Sequence, residues 1–524
     1  MNAQQDPSLP PSGKSQGRVI LVGAGPGDPK LITVAGLDAL RQADVVVYDA
    51  LANPRLLAEA KPGATLIDVG KRAKHHKMKQ EDINDLLAAE AGKGRVVVRL
   101  KGGDPYLFGR GAEEAEHVAR SGVAVTVLPG VTAGVAAPAA AGIPVTHRQI
   151  ASTVTFVTGH EDPAKDQTSV DYRGLSLLIR AGGTACFYMG VGRIASIVEA
   201  LTQHEVARDT PAAVVQWGTL PRQRSVRGTL ATIASDLERA GLASPAIIVV
   251  GLTAGLDLPG LDFFTARPLF GQRIIVTRTR DQASQLREQL EALGADVLEA
   301  PTIEIRPPDS YRQVDAAINA IHADYDWLML TSPNGVAALR ERLDALNLDA
   351  RCFAGLHIAA VGDATQDALR RELGLCADFV PEHFSAEAMA AELVEQHDLR
   401  DQRVLLLRAD IARPQLVDLL KDAGAAVTDL SIYETHRVAK LSDEVAEALR
   451  EASVDWVTFT SSSTARYFFE LADEASLDVE RVSLASIGPI TTQTLRDLKR
   501  PPDVEASPHN IAGLIDALVR GAAG

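Results

Sequence analysis

The sequence is poor in three features, and each shortage argues against a class of protein. Phe, Trp and Tyr together make up 4% of the 524 residues, too little for the stacked aromatic platforms that hold single-stranded nucleic acid. The three cysteines, Cys186, Cys352 and Cys376, have no metal-type spacing, and three is a poor number for a disulfide framework. No apolar run reaches the roughly 18 residues needed to span a bilayer. These shortages predict a cytoplasmic protein with no metal, no membrane span and no nucleic-acid partner.

Length and charge indicate several domains with different surfaces. A chain of 524 residues is too long for one hydrophobic core and predicts roughly three or four domains. Residues 1–265 hold 27 basic and 26 acidic residues, a net charge of +1, whereas residues 266–524 hold 26 and 42, a net charge of −16. Residues 1–17 are polar, rich in Pro and Ser, and lack an apolar core, so we expect a disordered arm and not a signal peptide.

One glycine-rich stretch, Arg99 to Gly111, organises the first half. The apolar run from Val96 to Leu100 predicts a buried parallel strand, which breaks at Gly102-Gly103 before a helical pattern begins. Two glycines followed by Asp104 and a proline form a loop in which a ligand can approach the backbone closely. Open α/β sheets bind ligands at this place, beyond the carboxyl ends of their strands. An ordinary strand-to-helix turn would explain the loop equally well if it stood alone.

Other strands of this half end in similar loops. The strand predicted at Arg18–Val22 leads into Gly23–Asp28, whose third glycine comes one position too early for the Rossmann spacing and whose Pro26 offers no donor to a pyrophosphate. This loop is therefore a weak dinucleotide signal. The next two predicted strands end at Asp49 and at Gly70-Lys71. Several strand ends thus carry glycine, threonine or acidic residues, which predicts a cleft lined by backbone.

A basic segment follows the third predicted strand. Lys71–Lys79 contains five Lys or Arg residues and two His residues in nine positions. A solvated surface loop and a site that captures a polyanion explain this composition about equally well. A nucleic-acid surface is a weaker explanation, because the half is near neutral and lacks interleaved aromatic residues. The His75-His76 pair in a lysine-rich loop predicts no metal site.

Seven motifs in a fixed order carry a specific family resemblance. They are VGAGPGDPKLIT, RLKGGDPYLFGRGAEE, PGVTAG, GIPVTHR, TGHE, FYMG and VQWGT, and they lie between Val19 and Thr253. In this order they resemble uroporphyrinogen-III C-methyltransferases. The resemblance implies two α/β domains that bind S-adenosylmethionine in the cleft between them, without a Rossmann fingerprint. It also implies a homodimer formed through this half.

Positions that match the family's motifs are implied to contact the cofactor. Small residues let backbone amides reach the adenosine and the carboxylate, and Asp104 balances the positive sulfonium and amino groups. Leu107 and Met189 supply apolar walls. The nine implied positions are Pro26, Gly102, Gly103, Asp104, Leu107, Thr132, Ala133, Met189 and Gly218.

The same resemblance implies proton-transfer roles for an aspartate after the second strand and a lysine after the third, which match Asp49 and Lys71. Methylating a ring carbon makes a cationic intermediate that must lose a proton, and a carboxylate can accept it. An aspartate at this position could instead cap the following helix. The implied substrate is a tetrapyrrole with eight carboxylates, and Arg72 and Lys74 of the basic segment are then its expected ligands.

The second half contains an internal repeat, which follows a linker at residues 257–270. Gln272–Arg278 recurs as Gln402–Arg408. Leu330–Ser332 recurs as Phe459–Ser461, and a helical pattern follows both of these segments. Corresponding motifs lie 126 to 130 residues apart, so each copy is the size of a domain. Thr-Ser pairs and glycines that open helices present hydroxyl and N–H groups to carboxylates. Two such copies predict a cleft rich in neutral donors.

Five motifs of this half, VTR, TSPNG, AVGDAT, IYET and IGPITT, occur in an order that resembles uroporphyrinogen-III synthases. The family implies two interlaced domains that close hydroxymethylbilane to uroporphyrinogen III, with loss of water and inversion of the last ring. Holding a flexible chain in the closing geometry is mainly an orientation effect. Tyr433 is the candidate for assisting the departure of water, although it could equally pack a hinge. The expected substrate-binding residues are Ser332, Asn334, Thr365, Ser461 and Thr491.

These observations predict an α/β protein with a tetrapyrrole-methylase fold of two α/β domains and a pair of interlaced parallel α/β synthase domains. The predicted ranges are 1–17 (arm), 18–134 and 135–256 (methyltransferase domains), 257–270 (linker), 271–306 with 437–522 (first synthase domain) and 307–436 (second synthase domain). The predicted enzyme makes uroporphyrinogen III and methylates it twice to precorrin-2, for sirohaem or cobalamin. The alternatives are a later precorrin methyltransferase in the first half and a non-catalytic tetrapyrrole-binding module in the second.

Overall fold

The computed structural model describes residues 17–70, 78–159, 169–258, 260–277, 280–382, 386–412 and 414–523, without the side chains of residues 280–283 and 386–388. The chain forms two compact units. The first unit comprises residues 1–272 and 290–296, and the second comprises residues 273–289 and 297–524. Within the described ranges, four five-stranded sheets form the framework of these units.

The first sheet of the first unit is parallel throughout. Its strands are β1 (Arg18–Gly23), β2 (Val45–Tyr48), β3 (Thr65–Asp68), β4 (Val96–Lys101) and β5 (Ala124–Leu128). They lie in the order β3-β2-β4-β1-β5, so the carboxyl ends of all five strands meet at one edge. The helices of this part are α1 (Val34–Gln42), α2 (Gln80–Gly92), α3 (Gly111–Arg120) and α4 (Ala133–Ala140).

The central strand β4 has two unlike faces, because successive side chains of a strand point to opposite sides. Val98 and Leu100 pack in the apolar cluster that includes α1. Val97 packs in the cluster that includes α2 and α3. Arg99 and Lys101 lie on the same face as Val97 and are only 3% and 4% exposed. Two cations therefore occupy positions where the pattern of a buried strand predicts apolar side chains.

The second sheet of the first unit is mixed. Its strands are β6 (Val154–Thr158), β7 (Thr184–Tyr188), β8 (Pro211–Gln216), β9 (Arg224–Thr229) and β10 (Ala246–Val250), and its helices are α5 (Tyr172–Arg180), α6 (Ile194–Gln203) and α7 (Ile233–Arg239). The order is β6-β7-β10-β8-β9, in which β6 and β7 are parallel and the other pairs antiparallel. The edge strand β9 was not predicted, because its polar sequence RSVRGT lacks the apolar alternation of a half-buried strand.

The second unit contains two further sheets with their helices. Its strands are β11 (Arg273–Val276), β12 (Asp296–Glu299), β13 (Ile303–Arg306), β14 (Trp327–Leu330), β15 (His357–Ala360), β16 (Arg403–Ala409), β17 (Ala426–Arg437), β18 (Trp456–Phe459), β19 (Ser483–Ser486) and β20 (Val504–Glu505). Its helices are α8 (Arg280–Ala292), α9 (Arg312–Asn319), α10 (Ile321–Asp324), α11 (Pro333–Ala345), α12 (Asp363–Ala368), α13 (Ala386–Gln396), α14 (Gln415–Asp422), α15 (Asp443–Arg450), α16 (Ser462–Glu474), α17 (Pro489–Asp497) and α18 (Ile511–Ala522).

The two sheets of this unit are interlaced along the chain. One has the order β12-β11-β18-β19-β20 and draws on both ends of the unit's sequence, whereas the other has the order β13-β17-β16-β14-β15 and uses the middle. The order β12-β11-β18-β19 corresponds strand for strand to β17-β16-β14-β15, at the spacing of the sequence repeat. The duplication is therefore visible in the topology. Ile303 of β13 aligns with Arg437 of β17. The chain therefore enters the middle sheet a few residues before Arg306-Pro-Pro308, where the predicted ranges place the boundary between the two synthase domains.

The predicted α/β fold class is confirmed, since parallel strands alternate with helices in both units. No helix among the described residues is long and apolar enough to cross a membrane. The three cysteines are free thiols, and Cys186 is buried in β7.

Candidate functional site

Three glycines bring three loops of the first unit into backbone contact. Gly23 ends β1, Gly103 follows β4 and Gly130 follows β5. A Cβ atom on Gly130 would lie 2.2 Å from the carbonyl oxygen of Gly103 and 2.7 Å from the Cα of Gly23. Any side chain here would therefore push the loops apart. The carboxyl edge of the sheet thus forms a continuous floor of backbone.

The loop after β4 is tied to its neighbours by hydrogen bonds. The N–H of Gly103 donates to the carbonyl of Gly25 (2.7 Å), and the N–H of Gly25 donates back (3.3 Å). One carboxylate oxygen of Asp104 accepts from the N–H of Gly130 (3.0 Å), and the other accepts from the N–H of Tyr106 (2.8 Å). Asp104 therefore joins two loops, a role that its sequence context does not reveal. Each oxygen keeps a lone pair for a cationic ligand.

The loop after β8 contacts the loop after β1. The N–H of Asp28 donates to the Thr219 hydroxyl (3.1 Å). A Cβ atom on Gly27 would lie 3.3 Å from the carbonyl oxygen of Gly218. The loop that carries Pro26 and the loop that carries Gly218 therefore meet.

A tyrosine that was not among the sequence-predicted site residues joins the two sheets of this unit. The hydroxyl of Tyr188, at the end of β7, lies 2.5 Å from the Thr132 hydroxyl and accepts from the N–H of Gly134 (2.6 Å). Its ring centroid is 5.1 Å from that of Phe108. Burial raises the pKa of Tyr188, so the phenol remains a neutral hydrogen-bonding group. The FYMG motif contains this residue, but only the fold shows that it reaches Thr132.

The loops around this cleft contain unusual backbone. Left-handed φ angles cost a residue other than glycine roughly 1–3 kcal/mol and are concentrated at functional sites. Met189 combines such an angle with a side chain that is 49% exposed, so it offers an apolar wall to a ligand. The non-glycine residues of these loops with left-handed φ angles are Phe108, Arg110, Met189, Trp217 and Thr219.

The geometry suits S-adenosylmethionine. A Cβ atom on Gly103, whose φ is +68°, would meet no described atom within 4 Å, so open space adjoins this backbone. Amides at such a place can reach a carboxylate or a ribose, and an apolar wall suits the adenine and the sulfonium carbon atoms. The described residues include no group of three or more His, Cys, Asp or Glu side chains suited to hold a metal. The nine candidate positions lie in the loops just described or beside them, and Ala133, Gly102 and Leu107 directly adjoin residues named above.

Asp49 both caps a turn and takes part in an ion pair. One carboxylate oxygen accepts from the N–H groups of Leu51 (3.1 Å) and Ala52 (3.2 Å). The other lies 3.7 Å from a guanidinium nitrogen of Arg99. The capping role and a chemical role are therefore compatible, since each can use its own oxygen. The remaining predicted residues of this region, Lys71, Arg72 and Lys74, lie outside the described residues.

In the second unit, a β-bulge aims Tyr433. Arg408 of β16 aligns with Ser431 of β17, but the next residue aligns with Tyr433, so one extra residue enters β17. Ile432 and Tyr433 consequently pack in the same apolar cluster, although neighbours in a regular strand point to opposite faces. The bulge brings the Tyr433 hydroxyl to 2.9 Å from the Ser332 hydroxyl.

Three predicted residues meet at this point. Ser332 caps α11 by accepting from the N–H of Gly335 (3.1 Å), and its hydroxyl also contacts Tyr433. Burial raises the pKa of Tyr433, and hydrogen bonds with Ser332 and Asn334 partly offset this effect. The phenol therefore keeps its proton and can donate it in a hydrogen bond.

The other predicted residues of this unit lie at the N-terminal ends of helices. Ser461 caps α16 by accepting from the N–H of Thr464 (3.3 Å). Thr365 and Thr491 lie in the first turns of α12 and α17 and are 3% and 4% exposed.

Comparisons with known proteins assign a family to each half. A family model described as tetrapyrrole (corrin/porphyrin) methylases matches residues 18–234, and one described as uroporphyrinogen-III synthase HemD matches residues 284–516. The chain is 36% identical over 503 residues to the porphyrin biosynthesis protein HemD of Ruminiclostridium josui, a match that covers 96% of this chain and 98% of that protein.

Two further relatives match the first half. The uroporphyrinogen-III C-methyltransferase of Synechocystis sp. is 49% identical over 235 residues, which cover 45% of this chain and 88% of the relative. The S-adenosyl-L-methionine-dependent uroporphyrinogen III methyltransferase of Methanosarcina barkeri is 48% identical over 235 residues, which cover 45% of this chain and 91% of the relative.

Proposed function

The chain belongs to the tetrapyrrole methylases in its first half and to the uroporphyrinogen-III synthases in its second, and we propose that it makes uroporphyrinogen III and then methylates it. The second half closes hydroxymethylbilane, and the first half transfers two methyl groups to ring carbons to give precorrin-2. The observation that supports this proposal most strongly is the match to the Ruminiclostridium josui protein over nearly the full length of both chains. By name, the two relatives of the first half act on uroporphyrinogen III, which favours this substrate over a later precorrin.

Methyl transfer is an in-line displacement that the first unit promotes by positioning and not by a protein nucleophile. Bound S-adenosylmethionine supplies an electrophilic methyl group. The loops at Gly103 and Gly130, which Asp104 ties together, would hold its polar parts through backbone groups, and the Asp104 carboxylate would balance its positive charge. Met189 provides an apolar wall. Tyr188 holds the loop at Thr132 in place through its hydroxyl.

Asp49 accepts the proton that the cationic intermediate loses after a ring carbon has been methylated. Its capping oxygen is occupied by two N–H groups, which leaves the other oxygen, next to Arg99, for this proton. A carboxylate placed in this way serves as a general base. The proposal also includes Lys71 as a second proton-transfer residue. Two further residues, Arg72 and Lys74, are proposed to bind the substrate carboxylates.

Ring closure in the second half depends on holding the linear tetrapyrrole with its ends together. Tyr433 donates a hydrogen bond that assists the departing water, and its contact with Ser332 orients the phenol. Ser332 and Asn334 lie beside it, at the start of α11. The other proposed substrate-binding residues are Thr365, Ser461 and Thr491.

A homodimer through residues 18–256 and a cytoplasmic location belong to the same proposal. The free thiols of all three cysteines support a reducing compartment. We further propose the domain ranges 18–134, 135–256, 271–306 with 437–522, and 307–436. Light scattering of the whole chain tests the dimer, because a mass near 55.7 kDa would rule it out.

The function is tested by incubating the whole chain with hydroxymethylbilane and isotopically labelled S-adenosylmethionine, followed by mass and isomer analysis of the products. We expect a dimethylated product of the type III series, which requires both activities. Accumulation of unmethylated type III product would contradict the methyltransferase assignment. Type I product alone, which forms by uncatalysed closure, would contradict the synthase assignment.

Replacing Tyr433 with phenylalanine is expected to slow cyclisation about tenfold, because the departing water loses a hydrogen-bond donor worth roughly 1–2 kcal/mol. Methylation of supplied uroporphyrinogen III by the same variant should stay unchanged. The measurement is the initial rate of type III formation, with Tyr467→Phe in α16 as the control. If the Tyr433→Phe variant cyclises at the normal rate, the hydroxyl does not assist the reaction and the residue serves only in core packing.

A further inference from the structure

The face of β4 that carries Arg99 and Lys101 contains a buried group of charges that the proposed mechanism does not yet use. The carboxylate of Glu114, on α3, is fully buried. One of its oxygens lies 3.3 Å from the Arg99 Nε and 3.0 Å from the Lys101 Nζ, and it also accepts from the Gln80 amide (3.0 Å). Its other oxygen accepts from no residue that the structure describes.

This group reaches Asp49 through Arg99. The Arg99 side chain is 4% exposed, and it contacts Glu114 at one end and Asp49 at the other. Its guanidinium also donates to the carbonyl groups of Val47 (3.4 Å) and Leu100 (3.1 Å), which fixes it against the end of β2. The carboxylate of Asp49 therefore sits at the solvent-facing end of a buried chain of charges.

The described charges around Asp49 can be counted by element. Strand β4 contributes Arg99 and Lys101, and α3 contributes Glu114. From β3, Asp68 aligns with Tyr48, and its carboxylate accepts from the Gly70 N–H (2.8 Å). Two buried cations and one buried anion thus leave a net positive charge behind Asp49, while Arg110 and Glu113 at the start of α3 form an exposed ion pair with each other. Burial and the neighbouring Arg99 lower the pKa of Lys101, and the carboxylates of Glu114 and Asp49 partly offset this effect.

Such an arrangement is a poor means of stabilising a fold. A buried ion pair or triad can commonly be replaced by apolar residues of similar volume with no loss of stability, because desolvation offsets the attraction. The other positions on this face, such as Val97, are apolar. Two cations at the carboxyl end of the central strand therefore point to a task at the ligand-binding edge.

We propose that Lys101 and Glu114 are positioning residues for the methyl transfer: through Arg99 they fix the charge behind Asp49 and thereby the acid limb of the methylation rate. This inference rests on the proposed function. The charge of Lys101 attracts the Asp49 carboxylate, and the charge of Glu114 repels it. Removing both charges restores the original balance.

The test is the pH profile of kcat/KM for uroporphyrinogen III at saturating S-adenosylmethionine. Lys101→Met removes one cation from behind the proposed base, so the acid limb of the methylation rate should move upward by about half a pH unit or more. The double variant Lys101→Met/Glu114→Gln should return the limb to its wild-type position. The substrate's own carboxylates titrate alike in every assay, so differences between variants report on the protein.

The control is Lys93→Met, which removes an exposed lysine paired with Glu90 in the same domain and should leave the acid limb in place. Binding of S-adenosylhomocysteine, measured by calorimetry, and cyclisation by the same chain report whether each variant is folded. If Lys101→Met does not bind S-adenosylhomocysteine, Lys101→Gln is used in its place, because glutamine keeps a hydrogen-bond donor for Glu114.

The outcomes separate this inference from the function on which it rests. A wild-type chain that does not methylate uroporphyrinogen III overturns the proposed function. A methylating wild type whose acid limb does not move in Lys101→Met overturns the inference alone. A double variant whose acid limb is displaced as far as that of Lys101→Met also overturns the inference. Restored charge balance would return the limb to its wild-type position, whereas damage to packing would not.

Discussion

Methylation is expected to stop in a Gly130→Ala variant, whereas cyclisation by the same chain continues. The added Cβ atom would lie 2.2 Å from the Gly103 carbonyl oxygen and within 3 Å of two Gly23 atoms. All of these are backbone atoms, so no side-chain rotation relieves the overlap. Overpacking costs about 1–3 kcal/mol per site in ordinary cores, and displacement of two ligand-binding loops places this case at the upper end. We expect affinity for S-adenosylhomocysteine to fall about 100-fold.

The measurement is calorimetric titration of S-adenosylhomocysteine, with both activities assayed on the same preparation. Gly92→Ala, at the end of α2, is the matched control, because a Cβ atom there would meet no described atom within 4 Å. Wild-type affinity in Gly130→Ala would show that the contact of these three loops does not form part of the cofactor site.

An Asp49→Asn variant is expected to methylate roughly 100- to 10,000-fold more slowly than wild type, the usual contribution of a general base. Asparagine can still accept the hydrogen bonds from Leu51 and Ala52, so the turn keeps its cap. The amide cannot accept the proton from the substrate. Cofactor affinity should therefore be nearly unchanged while kcat falls, a combination that loss of folding would not produce.

Single-turnover methylation of uroporphyrinogen III measures this effect directly. Asp38→Asn, an exposed position on α1, serves as the control. A rate for Asp49→Asn within tenfold of wild type would mean that another group takes the proton, and the Arg99 contact would then serve only to hold the turn.

Much of the first unit was predictable because its strands are long apolar runs that end in glycine. The run from Val96 and the run from Arg18 both lead into loops, and the structure places these loops beside each other. The repeat in the second half likewise predicts two similar sheets, because equivalent apolar runs form equivalent strands. Local sequence carries this information, since both burial and turn formation are decided over a few residues.

Contacts between distant residues were not predictable in the same way. Tyr188 and Thr132 are 56 positions apart, and the spacing of their motifs says nothing about which side chains meet. The run from Val96 to Leu100 predicts a buried strand, yet nothing in it indicates that Arg99 and Lys101 are buried against Glu114 of α3. The bulge at Tyr433 depends on the pairing of β16 with β17, which no local pattern records. The roles of the site residues therefore stay predictions.

The interlaced topology of the second unit governs the order in which a growing chain can complete its folds. Both sheets of the first unit end by Val250, and the middle sheet of the second unit ends by Arg437. Strand β11, however, pairs with β18, so Ile274 can pair with Trp456 only after β18 has been synthesised. A ribosome therefore releases two finished methylase domains and a middle domain while β11, with β12 on one side, still has an unpaired edge on the other. Such unpaired edges favour association between chains. The last sheet closes late, when the C-terminal strands emerge, and the cyclase activity that supplies the substrate is the second of the two to mature.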